Sequence, residues 1–171
     1  LITRASTLLC SSYLGLEITS QYGLSLQLFG VVGGFSSLLF NGYIPELTSS
    51  KIENNKERFI QLFSRAISIQ WFISLIGIFA VIFLAPIGLK IIGSNSTLLP
   101  VSYLLVLGAV LFLEWNHSTF SGLITLSNKV PFVKSSIISG ICIFVLSLGI
   151  LNFTTLGVYG LILSQGIVQL A

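Results

Sequence analysis

Six apolar runs, each near the length that crosses a lipid bilayer, follow one another along the chain, and a carboxylate and an imidazole stand near the middle of the fourth. A helix needs about 20 mainly apolar residues to traverse a hydrocarbon layer about 30 Å thick. The predicted spans are residues 1–16, Gly23 to Ile44, about Phe59 to Leu84, Leu98 to about Leu126, Lys134 to Leu151, and Thr155 to the last residue. The first covers only about 24 Å at 1.5 Å per residue. Pro45 lacks an amide hydrogen and disfavours helix at the residue before it, so "YIPEL" predicts a stop to the second span. The chain has no methionine, opens inside one apolar segment and stops inside another, so it reads as an excerpt of a longer protein with its first and last spans cut short. These spans and their short connections predict an all-α, polytopic membrane bundle forming one domain over residues 1–171.

Composition closes off the alternatives. Hydrophobic residues make up 54% of the chain and charged residues 8%, with a mean hydropathy of +1.00, whereas a water-soluble domain carries about a quarter of its residues charged. The net charge of +3 comes from 8 basic and 5 acidic residues spread along the chain; a nucleic-acid surface needs basic residues clustered on one face, so nucleic acid is excluded as a partner. Cys10 and Cys142 fall in different spans without companion ligands, which argues against a metal or a disulfide. The Asn-x-Ser/Thr triplets at Asn95, Asn116 and Asn152 arise often by chance, and "GVVGG" at 30–34 is membrane glycine with no strand before it. No cofactor is implied.

The basic residues set the orientation. If consecutive spans alternate sides, Arg4, Lys51, Lys56, Arg58, Arg65, Lys129 and Lys134 fall at or toward one side and Lys90 alone at the other. Lysine and arginine concentrate on the cytoplasmic side of membrane proteins, so loops 45–58 and 127–134 are predicted cytoplasmic, and 17–22, 88–97 and 152–154 are predicted to face outward. "TSSKIENNKERF" is the one strongly charged stretch; Phe59, Phe63 and Ile67, at four-residue steps, predict a helix that begins in the interface and runs inward.

Polar and small residues inside the spans predict faces turned toward protein or water. Gln27, Gly30, Gly34, Ser37 and Asn41 recur at three- and four-residue steps, and Gly30 with Gly34 forms a GxxxG pair that allows close helix approach. Helix packing and cavity lining are both open for this stripe. Arg4, Thr7, Ser11 and Gly15 form a comparable stripe in the first span, and Ser136, Gly140 and Ser147 in the fifth, so these stripes are expected to be the inner faces of one bundle. In the fourth span Glu114, His117, Ser118, Ser121 and Thr125 share a face. A charged group at the centre of a bilayer helix costs about 2.5–3.5 kcal/mol on insertion scales, so Glu114 must face protein or water. The i, i+3 spacing of Glu114 and His117 lets each offset the other's burial, which suggests a proton-linked switch; a hydrogen bond to a neighbouring helix and a satisfied core histidine are the structural alternative. Trp115 and Asn116 point elsewhere and receive no role. Arg4 either snorkels to the headgroups or faces a cavity, where it is placed to meet a phosphate.

The ordered runs "YLGLEITSQYGLSLQLFGVV", "FNGYIPELTSSKIENNKERF", "LAPIGLKIIGSNSTLLP", "TLSNKVPFVKSSIISGI" and "LGVYGLILSQGIVQL" resemble the carboxy-terminal half of polysaccharide and O-antigen flippases, within the multidrug/oligosaccharidyl-lipid/polysaccharide exporter superfamily. The resemblance covers the whole chain. It implies one lobe of a two-lobed transporter in the bacterial inner membrane, with about six helices per lobe around a cavity open alternately to either side. It also implies a lipid-linked oligosaccharide as substrate, a coupling proton or sodium ion, and polysaccharide polymerase machinery as a partner. Arg4 would suit the cationic lumen, and Glu114 with His117 would suit ion coupling. The rivals are a cation-coupled drug exporter of the same superfamily, a membrane-embedded enzyme using Glu114 and His117 on lipid-linked sugars, and a structural subunit of a larger complex. The loops hold no acidic cluster or His-rich motif of the kind such an enzyme uses near the membrane surface, so no enzymatic activity is expected.

Overall fold

A computed structural model of the chain describes residues 2–125 and 133–170, the side chains of residues 2–5 apart. Eight helices follow in order: α1 (Ile2–Tyr13), α2 (Leu16–Asn41), α3 (Ile44–Ile52), α4 (Lys56–Phe83), α5 (Ala85–Ile91), α6 (Val101–Thr125), α7 (Val133–Phe153) and α8 (Gly157–Leu170). There is no strand among the described residues. The all-α membrane-bundle class is therefore present, and four helical stretches are long and apolar enough to cross a bilayer: α4, α6, α7 and the stretch Leu16–Ile52 that contains α2. α1 and α8 have 12 and 14 residues.

Several boundaries depart from the sequence reading, each for a local reason. Residues 17–22 are helix, not an outward loop: the chain turns at Gly15, whose φ of 87° and ψ of 170° suit only glycine, and α2 starts at once with Glu17 in its first turn, where a carboxylate complements the helix dipole. Pro45 opens a helix instead of ending one. α2 stops at Asn41, and α3 starts with Pro45 in its first turn, where a missing amide hydrogen costs nothing. Pro86 does the same for α5, so part of the predicted 88–97 loop is helical. α4 begins three residues earlier than expected because Asn55 caps it, accepting a hydrogen bond from the Arg58 amide at 3.1 Å, after a turn in which Asn54 takes a φ of 54°.

The described helices form a ring with two outriggers. α1 packs on α2, α2 on α6, α6 on α8 and α8 on α1; α4 lies outside against α2 and α6, and α7 outside against α1 and α8. Leu14, Ile18, Leu99, Pro100, Tyr103 and residues 155–158 gather at one end. Phe40, Leu47 and Ala66 form a small core at the other, with Phe59, Phe63 and Leu123 packed on it. The spans therefore alternate direction as the sequence predicts. Lys51, Lys56 and Arg58 stand at the second end, and Lys90 belongs to the first. The Lys129 assignment lies outside the described residues.

The pattern of burial is inverted relative to a water-soluble fold. Phe72, Leu75, Phe79 and Phe83 of α4 and Ile137, Ile138, Ile141 and Val145 of α7 point outward, while Ser25, Ser36, Gln70, Ser74, Ser147, Ser164 and Gln165 are buried. Lipid tails solvate the outer apolar surface, and the polar groups must find partners inside.

Close approach is achieved at glycines other than the expected pair. A side chain at Gly33 would run into the Trp115 ring, and one at Gly77 into Val32. By contrast, an atom added at Gly30 or Gly34 meets nothing within 4 Å. The face of α2 that packs is Tyr22, Ser25, Phe29, Gly33, Ser36 and Phe40, and Gln27, Gly30 and Gly34 lie exposed away from it. The expectation that Gly30 and Gly34 pack helices within this bundle is thus corrected, whereas Ser37 and Asn41 of the same stripe turn toward α6. Small residues permit contact without demanding it, and the face carrying Phe29 and Phe40 has more area to bury.

Gly77→Val is expected to lower the stability of the protein in detergent by about 1–3 kcal/mol through overpacking against Val32. Gly34→Ala should leave it unchanged or raise it slightly, by up to about 1 kcal/mol, through helix propensity. Equilibrium unfolding of both variants checks the contrast.

Candidate functional site

The middle of α6 joins the bundle through neighbouring residues that between them reach α2, α4 and α8. The Glu114 carboxylate accepts a hydrogen bond from Gln165 Nε2 of α8 at 2.8 Å. Trp115 fills the space above Gly33 of α2. Asn116 Oδ1 accepts from the indole of Trp71 in α4, and its amide nitrogen donates to the Phe112 carbonyl at 2.7 Å. His117 Nε2 lies 3.1 Å from the Gln169 carbonyl. Thr119 Oγ1 accepts from Gln70 Nε2 of α4 at 2.7 Å and donates to the Trp115 carbonyl at 2.9 Å. The helical turn of about 100° per residue is what distributes five neighbouring side chains over three partner helices.

Glu114 and His117 do share the face turned to α8, as their spacing predicts, but each takes a separate partner there instead of pairing with the other. Among the described residues the ion pair is Arg58–Glu53, at 3.7 Å on the surface. Glu114 is half-buried and His117 exposed. Gln165 is almost fully buried, and both its Oε1 and that of Gln169 are buried without a hydrogen-bond donor. Gln165 turns its amide nitrogen to the carboxylate, and the two amide oxygens are left as acceptors open to an N–H or O–H donor.

The remaining predicted residues fall into three places. Asn41 and Ser118 come together, with Ser37, Thr119 and Gly122, around a cavity of about 90 Å³ between α2 and α6. This is well below the roughly 300 Å³ at which pockets for drug-sized ligands begin, so it is a water-sized recess. Gln27 is exposed on α2, away from that recess. Ser121 is half-buried, one turn further along α6. The Arg4 side chain lies outside those described.

Sequence reasoning missed Gln70, Thr119, Gln165 and Gln169, and gave Trp115 and Asn116 no role. The signal for the glutamines was present: each stands in an apolar span, and the rule that sends Glu114 toward protein applies equally to an uncharged amide. Two buried serine pairs belong to the same class, Ser36 with Ser74 at 2.8 Å joining α2 to α4, and Ser147 with Ser164 at 2.7 Å joining α7 to α8.

Fold and site together define a polytopic α-helical membrane protein whose helices are tied through polar contacts on α6. No family model, no curated protein and no solved structure matches the chain.

Gln165→Leu removes a donor to Glu114 and is expected to cost about 1–3 kcal/mol of stability, the usual penalty for an acceptor left unsatisfied. A double-mutant cycle of Gln70→Leu with Thr119→Val should give a coupling of about 0.6–1.7 kcal/mol, the range for hydrogen bonds between membrane helices. Unfolding in detergent measures both.

Proposed function

We propose that the chain is part of a bacterial inner-membrane flippase that carries a lipid-linked oligosaccharide by alternating access, with loops 45–58 and 127–134 cytoplasmic. The observation that carries this reading is the open stripe of Gln27, Gly30 and Gly34 on α2. The outer faces of α4 and α7 carry exposed Phe72, Leu75, Phe79, Ile137, Ile138 and Ile141, whereas Gln27, Gly30 and Gly34 are exposed on α2 and an atom added at either glycine meets nothing within 4 Å. A polar outer stripe is costly against lipid and is suited to one wall of a water-filled lumen, the other wall being a second lobe. The resemblance of the ordered runs to polysaccharide flippases supplies the substrate class, and by that resemblance Arg4 would suit a cationic lumen.

Glu114 serves in this reading as the coupling group. Its carboxylate takes up the coupling proton or sodium ion, and occupancy alters the tie that Gln165 makes between α6 and α8; His117, at the exposed edge of the same contact, senses the lumen. The same carboxylate favours one second reading, a cation-coupled drug exporter of the same superfamily.

The test is complementation of a flippase-null bacterial strain by the full-length protein. Gln27→Leu, Asn41→Leu, Arg4→Ala, Glu114→Gln and His117→Ala are expected to reduce surface polysaccharide at wild-type expression, with Glu114→Gln reducing it about tenfold or more if coupling is lost. Normal polysaccharide with all five variants would remove the cavity assignments. Failure of the wild type with several repeat-unit structures, together with drug resistance, would favour the exporter. Turnover of a lipid-linked sugar by purified protein in detergent would show an enzyme instead. Single cysteines at Glu57 and Ser94, in a background lacking Cys10 and Cys142, should label with an impermeant thiol reagent from opposite sides, the first from the cytoplasm.

A further inference from the structure

The turn between α3 and α4 carries a groove unrelated to the α6 contacts. It has a volume of about 380 Å³ and is lined by Ser50, Lys51, Asn54, Asn55, Lys56, Phe59 and Ile60. Lys51 closes α3 and Lys56 opens α4, and the turn that Asn54 makes with its positive φ places both residues along the lining of this groove. Phe59 and Ile60, one turn into α4, supply an apolar floor. None of the carboxylates of this segment lines the groove: Glu53 is held by Arg58 at 3.7 Å and accepts from the Ser49 hydroxyl at 2.8 Å, and Glu46 and Glu57 lie elsewhere on the surface.

We propose that this groove binds the headgroup phosphate of an anionic phospholipid from the leaflet at this end of the bundle. Depth is the first argument. The groove sits where α4 changes from the charged Lys56–Glu57–Arg58 turn to a continuous apolar helix, at the level of the phosphates. The second is chemical complementarity. Two lysines with the Asn54 and Asn55 amides offer donors to a phosphate diester, while Phe59 and Ile60, with Ile60 63% exposed, lie along the first methylenes of an acyl chain. A free phosphate would gain nothing from that floor. The third is the exposed Ile52, which places apolar surface at the other edge of the turn in contact with lipid. Anionic lipid at this corner would fix the α3–α4 turn against the membrane.

The experiment uses the purified protein released from micelles containing equal phosphatidylglycerol and phosphatidylcholine, with retained lipid counted by native mass spectrometry. Wild type is expected to retain phosphatidylglycerol preferentially. K51Q and K56Q should each lower that preference about fivefold, the usual weight of one basic residue near an anionic leaflet, and the double variant should abolish it. Both lysines are exposed, so folding is not at stake; K90Q, at the opposite end, serves as the control and should retain the wild-type preference. Ile60→Ser should weaken lipid retention while the lysines remain. Equal retention by wild type and the double variant would overturn the site. Displacement by inorganic phosphate at equal concentration would overturn the lipid assignment, and so would preference for a polyprenyl phosphate over phosphatidylglycerol.

Discussion

A polar side chain inside hydrocarbon has no water to turn to, and the arrangement of this bundle follows from where such side chains find partners. Glu114 turns to Gln165, Thr119 to Gln70, Asn116 to Trp71, Ser36 to Ser74 and Ser147 to Ser164. Between them these five contacts join α6 to α8 and to α4, α2 to α4, and α7 to α8. Lipid gives no net reason for apolar helices to associate, so the hydrogen bonds and the close packing at Gly33 and Gly77 decide which faces meet. α6 dominates because it alone places a carboxylate, two amide or imidazole groups and a hydroxyl within six consecutive positions.

The same constraint links fold to proposed function. Groups that only tie helices together end with all their atoms satisfied, as in the Gln70–Thr119 contact. The Glu114 contact leaves two amide oxygens without donors, and an incomplete contact is one that something else can complete. On α2 the helix is bound to the bundle by Phe29, Gly33 and Phe40 while presenting Gln27, Gly30 and Gly34 outward.

Much of the architecture was legible in the sequence because bilayer thickness imposes a length that apolar runs display directly. The alternation of spans and the gathering of Lys51, Lys56 and Arg58 at one end follow from the same simple count. Turns were less legible: Pro45 breaks a helix or starts one depending on whether the residues before it have already left helical geometry, and that depends on Gly42 and Tyr43, which carry little signal. The face of a polar residue was legible only where it was charged. Glu114 demanded a partner, while Gln165 in "LSQGIVQL" was the partner and passed unnoticed, since an amide in a span announces itself less strongly than a carboxylate. GxxxG at Gly30 and Gly34 misled because spacing records opportunity for contact, and Phe29 and Phe40 on the opposing side had more surface to bury.

α7 and α8 differ in how they are held in the bilayer. α7 buries only Ile143 and Ser147, so most of its surface is left to lipid. α8 buries half of its described residues and carries two glutamines that hydrocarbon would reject. Its polar groups are met by both neighbours, Gln165 by Glu114 of α6 and Ser164 by Ser147 of α7, so α8 depends on protein for its place where α7 depends on lipid.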